Sequence, residues 1–124
     1  MKKYFLILVC LISFAFISKA QTLQVSWNDE NYNGYYTVKV YFQTAGGTPT
    51  FAGEKKNVIG LGTTFANTEM ELPPVIMDQH DYYQYHVYVF RQSDPTYDGY
   101  GNSGWLDSDE FIQQVYILNI QITN

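Results

Sequence analysis

Tyr82-Tyr83-Gln84-Tyr85-His86-Val87-Tyr88-Val89-Phe90-Arg91 is the stretch that decides the fold. Tyr83, Tyr85, Val87 and Val89 fall on one side of an extended chain, and Tyr82, Gln84, His86, Tyr88 and Phe90 on the other. Alternation with a period of two, in β-branched and aromatic residues, predicts a strand with one face in a core. Upstream, Leu23, Val25 and Trp27 alternate with Thr22, Gln24 and Ser26. After the reversal signal Asn33-Gly34, Tyr36, Val38, Val40 and Phe42 share one face, and Tyr35, Thr37, Lys39 and Tyr41 the other. Gly46-Gly47-Thr48-Pro49 breaks that run. Asn57 to Leu61 reads as a short strand and Thr64 to Leu72 as another, closed by Pro73-Pro74. Phe111 to Thr123 reads as the final strand. Its Val115 to Leu118 is apolar on both faces, as in a covered strand, and Leu118, Ile120 and Ile122 continue one apolar face. No segment after residue 20 has helical periodicity. Six or seven short strands predict an antiparallel β-sandwich.

The N-terminal segment carries a different pattern. Lys2 and Lys3 precede an apolar run from Tyr4 to Ile17, and Ser18-Lys19-Ala20 closes it. A charged start, a short apolar run and a small-x-small end predict a secretory signal peptide over 1–20, too short for a spanning helix. The working domain is then residues 21–124, secreted, periplasmic or at the cell surface. Cys10 is the only cysteine and would leave with the signal, so no disulfide is expected. The 124-residue chain carries a net charge of −5. Loss of Lys2, Lys3 and Lys19 leaves Lys39, Lys55, Lys56 and Arg91 as the fixed cations and makes the domain more acidic still. Such a surface disfavours nucleic acid and anionic lipid. Cations, neutral glycans and proteins stay open as partners, with no membrane insertion after signal cleavage.

The order of these strands resembles a fibronectin type III or related immunoglobulin-like domain. Leu23-Gln24-Val25-Ser26-Trp27 is similar to that family's B strand with its buried Trp, and Tyr36 to Tyr41 to its C strand. Glu69-Met70-Glu71-Leu72, Pro73-Pro74 and Tyr83 to Val89 are similar to its E strand, turn and F strand. The resemblance implies that Tyr83 or Tyr85 fixes the E–F corner, and that function sits in surface loops as binding or adhesion.

Four places are candidates for function. The segment Gln92 to Glu110 is expected to be a long F–G loop, and long loops are enriched in function. Its Tyr97, Tyr100 and Trp105, with Asn102, would give stacking and polar contacts to a glycan or protein surface; the competing reading is a solvated loop with Trp105 plugging the core. Asp98, Asp107, Asp109 and Glu110, with Asn102, are hard oxygen donors that would suit a calcium ion, although their spacing is not that of an EF-hand. Asn28 to Asn31 is a second, smaller acidic cluster. If the strands of Tyr41 and Tyr88 are neighbours, Tyr35, Thr37, Lys39 and Tyr41 lie beside Tyr82, Gln84, His86 and Tyr88 as an outward surface. Either ordinary cross-strand pairing or partner binding explains that face. His80 and His86 form no zinc pattern.

A nucleophile elbow, a phosphate loop and a metalloprotease helix are missing from the sequence, so no enzyme is expected. Two classes of function stand: a binding module for a glycan or protein surface acting through 92–110, and a structural assembly or adhesion subunit acting through sheet edges.

Overall fold

The structure is a computed structural model and describes residues 19–29, 32–61, 66–75, 82–110 and 112–123. The expected signal peptide, Cys10, Glu30, Asn31 and His80 lie outside the described residues, apart from Lys19 and Ala20, which open the first strand.

Among the described residues eight strands form two sheets: β1 (Lys19–Asn28), β2 (Asn33–Thr44), β3 (Thr50–Leu61), β4 (Ala66–Val75), β5 (Tyr82–Arg91), β6 (Asp98–Asn102), β7 (Leu106–Asp107) and β8 (Gln114–Gln121). The smaller sheet has the order β4-β1-β8. The larger runs β3-β2-β5-β6, with β7 also paired to β5. The fold is all-β, as the alternation predicts. Leu23, Val25 and Trp27 of β1 meet Tyr36, Val38 and Val40 of β2 and Tyr83, Tyr85, Val87 and Val89 of β5 in one core. Trp27 packs edge-on against Tyr36, with ring centroids 5.2 Å apart.

Several boundaries differ from the sequence expectation. The β2–β3 turn at Gly46-Gly47 is a break, but β3 starts at Thr50, well before Asn57. Asn57 takes a left-handed backbone (φ 60°) at a bulge opposite Thr37, which interrupts the alternation from which a strand is read. Strand β4 continues through Pro73-Pro74 to Val75; it is an edge strand, where a missing N–H is tolerated. Strand β8 is an edge strand as well, and it runs parallel to β1. Asn119 (φ 65°) and Leu118 together oppose Ser26, and the Asn119 N–H reaches the Ser26 hydroxyl at 3.2 Å. This bulge shifts the phase, so Val115, Ile117, Ile120 and Ile122 face the core while Leu118 is 55% exposed. Leu118 therefore does not share the Ile120–Ile122 face, and the outer face of β8 is not covered.

The sandwich closes where β6 meets β8. Asp98 and Thr123 exchange backbone hydrogen bonds, and Gly99 and Gly101 let β6 approach. A Cβ on Gly99 would stand 2.5 Å from the Gln121 carbonyl oxygen, and one on Gly101 2.8 Å from Ile120. Gly99→Ala is therefore expected to destabilise by about 1–3 kcal/mol through overpacking against backbone. An unchanged Tm would mean that β6 and β8 are not in this contact.

Candidate functional site

The segment Gln92 to Glu110 is not one long loop. Arg91 N–H bonds the Tyr97 carbonyl at 3.1 Å, and Asp94 holds Thr96 through its carboxylate, so residues 92–97 form a tight hairpin into β6. The reason sequence reading missed this is composition: Gly99 and Gly101 look like loop residues but serve close packing.

Strand alternation then separates the expected site residues. Tyr100, Asn102 and Asp98 of β6 pair with Tyr88, His86 and Phe90 of β5 on the outer face of the larger sheet. Tyr97 instead packs on Arg91, whose guanidinium lies 4.1 Å from its ring centroid and 4.2 Å from that of Tyr32. Trp105 is 51% exposed, so it does not plug the core, and it has no ring contact among the described residues. Asp98 pairs with Phe90 at one end of β5 and Asp107 with Tyr82 at the other. Eight residues of strand place them about 26 Å apart. The Asp107 carboxylate accepts the Asp109 N–H at 2.9 Å, which commits it to a turn. Among the described residues, no group of three or more His, Cys, Asp or Glu is gathered to hold a metal, so the calcium donors do not converge.

The β2 and β5 strands are neighbours, with Tyr41 opposite His86 and Lys39 opposite Tyr88. Across the sheet the outward residues read Phe51, Tyr41, His86, Asn102 in one row and Glu54, Lys39, Tyr88, Tyr100 in the next. The rings touch diagonally as well as directly. Tyr41 meets Phe51 at 5.8 Å and Tyr88 at 5.7 Å, and Tyr88 meets Tyr100 at 5.1 Å. Phe51 entered no sequence-derived candidate, because β3 was not expected to start before Asn57.

A polar cluster fixes the rings. His86 Nε2 donates to Gln43 Oε1 at 2.7 Å, and that oxygen also accepts from Gln84 Nε2 at 3.0 Å. The partner of Nε2 is an acceptor, so Nε2 carries the hydrogen, and the Tyr100 hydroxyl is hydrogen-bonded to Nδ1 at 2.5 Å. Lys39 lies over Phe90, 5.5 Å from its centroid. An open groove of 390 Å³ runs over this face, lined by Lys39, Tyr41, Pro49, His86, Tyr88, Phe90 and Asp98.

Two buried clusters hold this sheet to the other. Arg91 makes a two-bond ion pair with Asp29, at 2.7 Å to Oδ2 and 2.6 Å to Oδ1, and the Tyr36 hydroxyl donates to Oδ2 at 2.8 Å. Burial acts to raise the Asp29 pKa, but the hydrogen bonds from Arg91 and Tyr36 and the guanidinium charge prevail and hold it below the ordinary carboxylate value. Gln21 donates from Nε2 to the Tyr83 hydroxyl at 2.6 Å and to the Ile112 carbonyl at 2.8 Å, and its Oε1 accepts the Tyr85 hydroxyl at 2.6 Å. The Tyr83 and Tyr85 hydroxyls of β5 thus reach across to β1.

No family model matches the chain, and no curated protein matches it. Among solved structures it is similar to an alternative pilotin from the type II secretion system of Vibrio cholerae. The identity is 14% and the TM-score 0.50, over 86% of this chain and 99% of that one. A fimbrial assembly protein from Parabacteroides distasonis aligns at 12% identity and a TM-score of 0.44, over 82% of this chain and 51% of that one. The pilotin likeness extends to the fold. Among the described residues no helix is long and apolar enough to cross a membrane.

Proposed function

We propose that this chain is a non-catalytic, protein-binding subunit of an assembly in the periplasm or at the cell surface. Its contact surface is the outer face of the larger sheet. One observation carries this reading: Phe51, Tyr41, Tyr88 and Tyr100 make an unbroken run of ring contacts over four neighbouring strands, with Phe51, Tyr88 and Tyr100 exposed and Tyr41 half-buried. Exposed contiguous aromatic surface is characteristic of partner sites, where such rings give large contact area at small entropic cost. The sheet edges are less suited to the role. Lys55 and Lys56 and the Asn57 bulge blunt β3, and Lys55 also covers the Glu69 carbonyl on β4 at 3.2 Å. A bulge interrupts β8, and Thr123, two residues past its end, is bridged to Asp98 of β6. The pilotin of like fold belongs to a secretion system, in keeping with an assembly role. The pairs β1–β4 and β2–β5–β6 match the B–E and C–F–G pairs of an immunoglobulin-like sandwich, which supports that architecture; the parallel β8 is the departure.

A photo-cross-linking residue in place of Tyr88, with Glu71 of the opposite sheet as comparison site, tests the reading in producing cells. The expected result is one discrete protein adduct from position 88 alone, suppressed by excess wild-type protein but not by a Tyr41→Ala/Tyr88→Ala variant. Equal labelling from both positions, or none from position 88, would sink it.

A further inference from the structure

The groove between Pro49 and Asp98 has a shape and a set of groups that narrow the partner. It follows β5 from His86 to Phe90, about 13 Å of extended strand. Its floor spans β2 and β5, adjacent strands about 4.8 Å apart. Asp98 of β6 and Pro49 of the β2–β3 turn stand at its two ends. The occupant cannot be an added strand, because β2 and β5 are both interior to the sheet and their backbone groups are spent on the ladder. Contact must come from the rings and a few polar tips.

A polyproline II segment meets these conditions. It needs no ladder, its backbone is already extended, and at about 3.1 Å per residue some four residues fill 13 Å. Its ridges pack on rings such as Tyr41, Tyr88 and Phe90, as in other aromatic-lined grooves that take proline-rich chains. The hydroxyls of Tyr41 and Tyr88 make no hydrogen bond among the described residues, so both are free to donate to the segment's carbonyls. The lining carries one charge of each sign, Lys39, which lies over the Phe90 ring, and Asp98, which is the anchor for a partner's charge. Asp98 is exposed at the groove's end, it forms no ion pair among the described residues, and the chain as a whole is acidic.

We infer that this groove binds a proline-rich, extended segment of a partner protein that places a basic side chain against Asp98. The inference rests on the protein-binding reading above and specifies its partner.

The test is a two-dimensional amide NMR titration of the protein with four probes: a nonapeptide of eight prolines with a central arginine, the same peptide with glutamate, a Gly-Ser nonapeptide, and cellohexaose. The expected result is saturable shifts confined to residues around Tyr41, Tyr88, Phe90 and Asp98 with the arginine peptide. Affinity should fall about tenfold or more in Tyr88→Ala. In Asp98→Asn, a substitution on an exposed side chain that leaves the fold intact, it should fall about three- to fivefold. The glutamate peptide should bind more weakly than the arginine peptide to the wild type, and the two should converge in Asp98→Asn. No shifts at millimolar arginine peptide, equal shifts with the Gly-Ser peptide, or shifts with cellohexaose alone would overturn the inference. A position-88 adduct in cells without proline-peptide binding discards the segment class and keeps the protein-binding face; loss of both discards both.

Discussion

Asp29→Ala is expected to destabilise the protein by about 3 kcal/mol, the lower end of the range for removing one partner of a buried ion pair. The lower end applies because Arg91 keeps 18% of its side chain in solvent. Two effects add: the guanidinium stays wedged between Tyr32 and Tyr97 without its counter-charge, and the Tyr36 hydroxyl loses its acceptor. For a domain of this size the Tm should drop on the order of 15 °C. The pH dependence identifies the carboxylate as the source. A folded-state pKa below the unfolded one gives stability that is complete above the ordinary carboxylate value, about 4, and lost as pH falls through the native value. Melting curves of wild type and Asp29→Asn should therefore lie apart at pH 6 and draw together below pH 4. A gap that stays constant down to pH 2 would show that the charge of Asp29 contributes nothing.

Gln21→Ala should cost more, about 3–5 kcal/mol. Gln21 is 1% exposed, and its amide serves three groups at once. Without it, the Tyr85 hydroxyl, the Tyr83 hydroxyl and the Ile112 carbonyl are left in the core short of a partner, at about 1–3 kcal/mol for each group left fully unsatisfied. The deleted volume adds a cavity contribution. Replacing the whole cluster, Gln21→Leu with Tyr83→Phe and Tyr85→Phe, should recover much of the loss, since matched apolar groups leave nothing unpaired. Urea unfolding at constant m-value measures both. A loss under about 1 kcal/mol in Gln21→Ala would mean that water replaces the amide and the site is not dry. The same burial pushes both tyrosines above their ordinary pKa; their contribution is complete below about pH 10 and is lost as pH rises through the native values.

Sequence reading went furthest where alternation was unbroken. Tyr83 to Val89, Tyr36 to Val40 and Leu23 to Trp27 specify the faces that the core uses, because one side of each strand is apolar. It failed where a left-handed asparagine changed the phase. Asn57 hid the first half of β3, and with it Phe51; Asn119 turned Leu118 outward. Asparagine is also common in ordinary turns, so a single sequence does not mark it as a bulge. The expected loop site dissolved for a similar reason. Glycines in β6 permit contact with Ile120 and Ile117, and composition does not distinguish that use from loop flexibility. The aromatic face was visible as a possibility through Tyr41, His86 and Tyr88, but the groove depends on Pro49, contributed by a turn that the alternation reads only as a break.

The parallel pairing of β1 with β8 also bears on how the chain folds. Leu23 lies opposite Val115 and Thr22 opposite Gln114, so β1 has β4 on one side and, on the other, a strand some ninety positions later in sequence. Closing so long a loop precedes any gain from the contact, which places folding in the slow, millisecond-to-second class of β-topologies. Until β8 docks, one edge of β1 is unpaired, and the core face of Leu23, Val25 and Trp27 is without Val115, Ile117 and Ile120 beside it. The nascent domain thus exposes an apolar, hydrogen-bond-hungry edge for as long as the polypeptide lacks its last strand, and that interval is when it is most open to capture by a chaperone or by another unfinished copy.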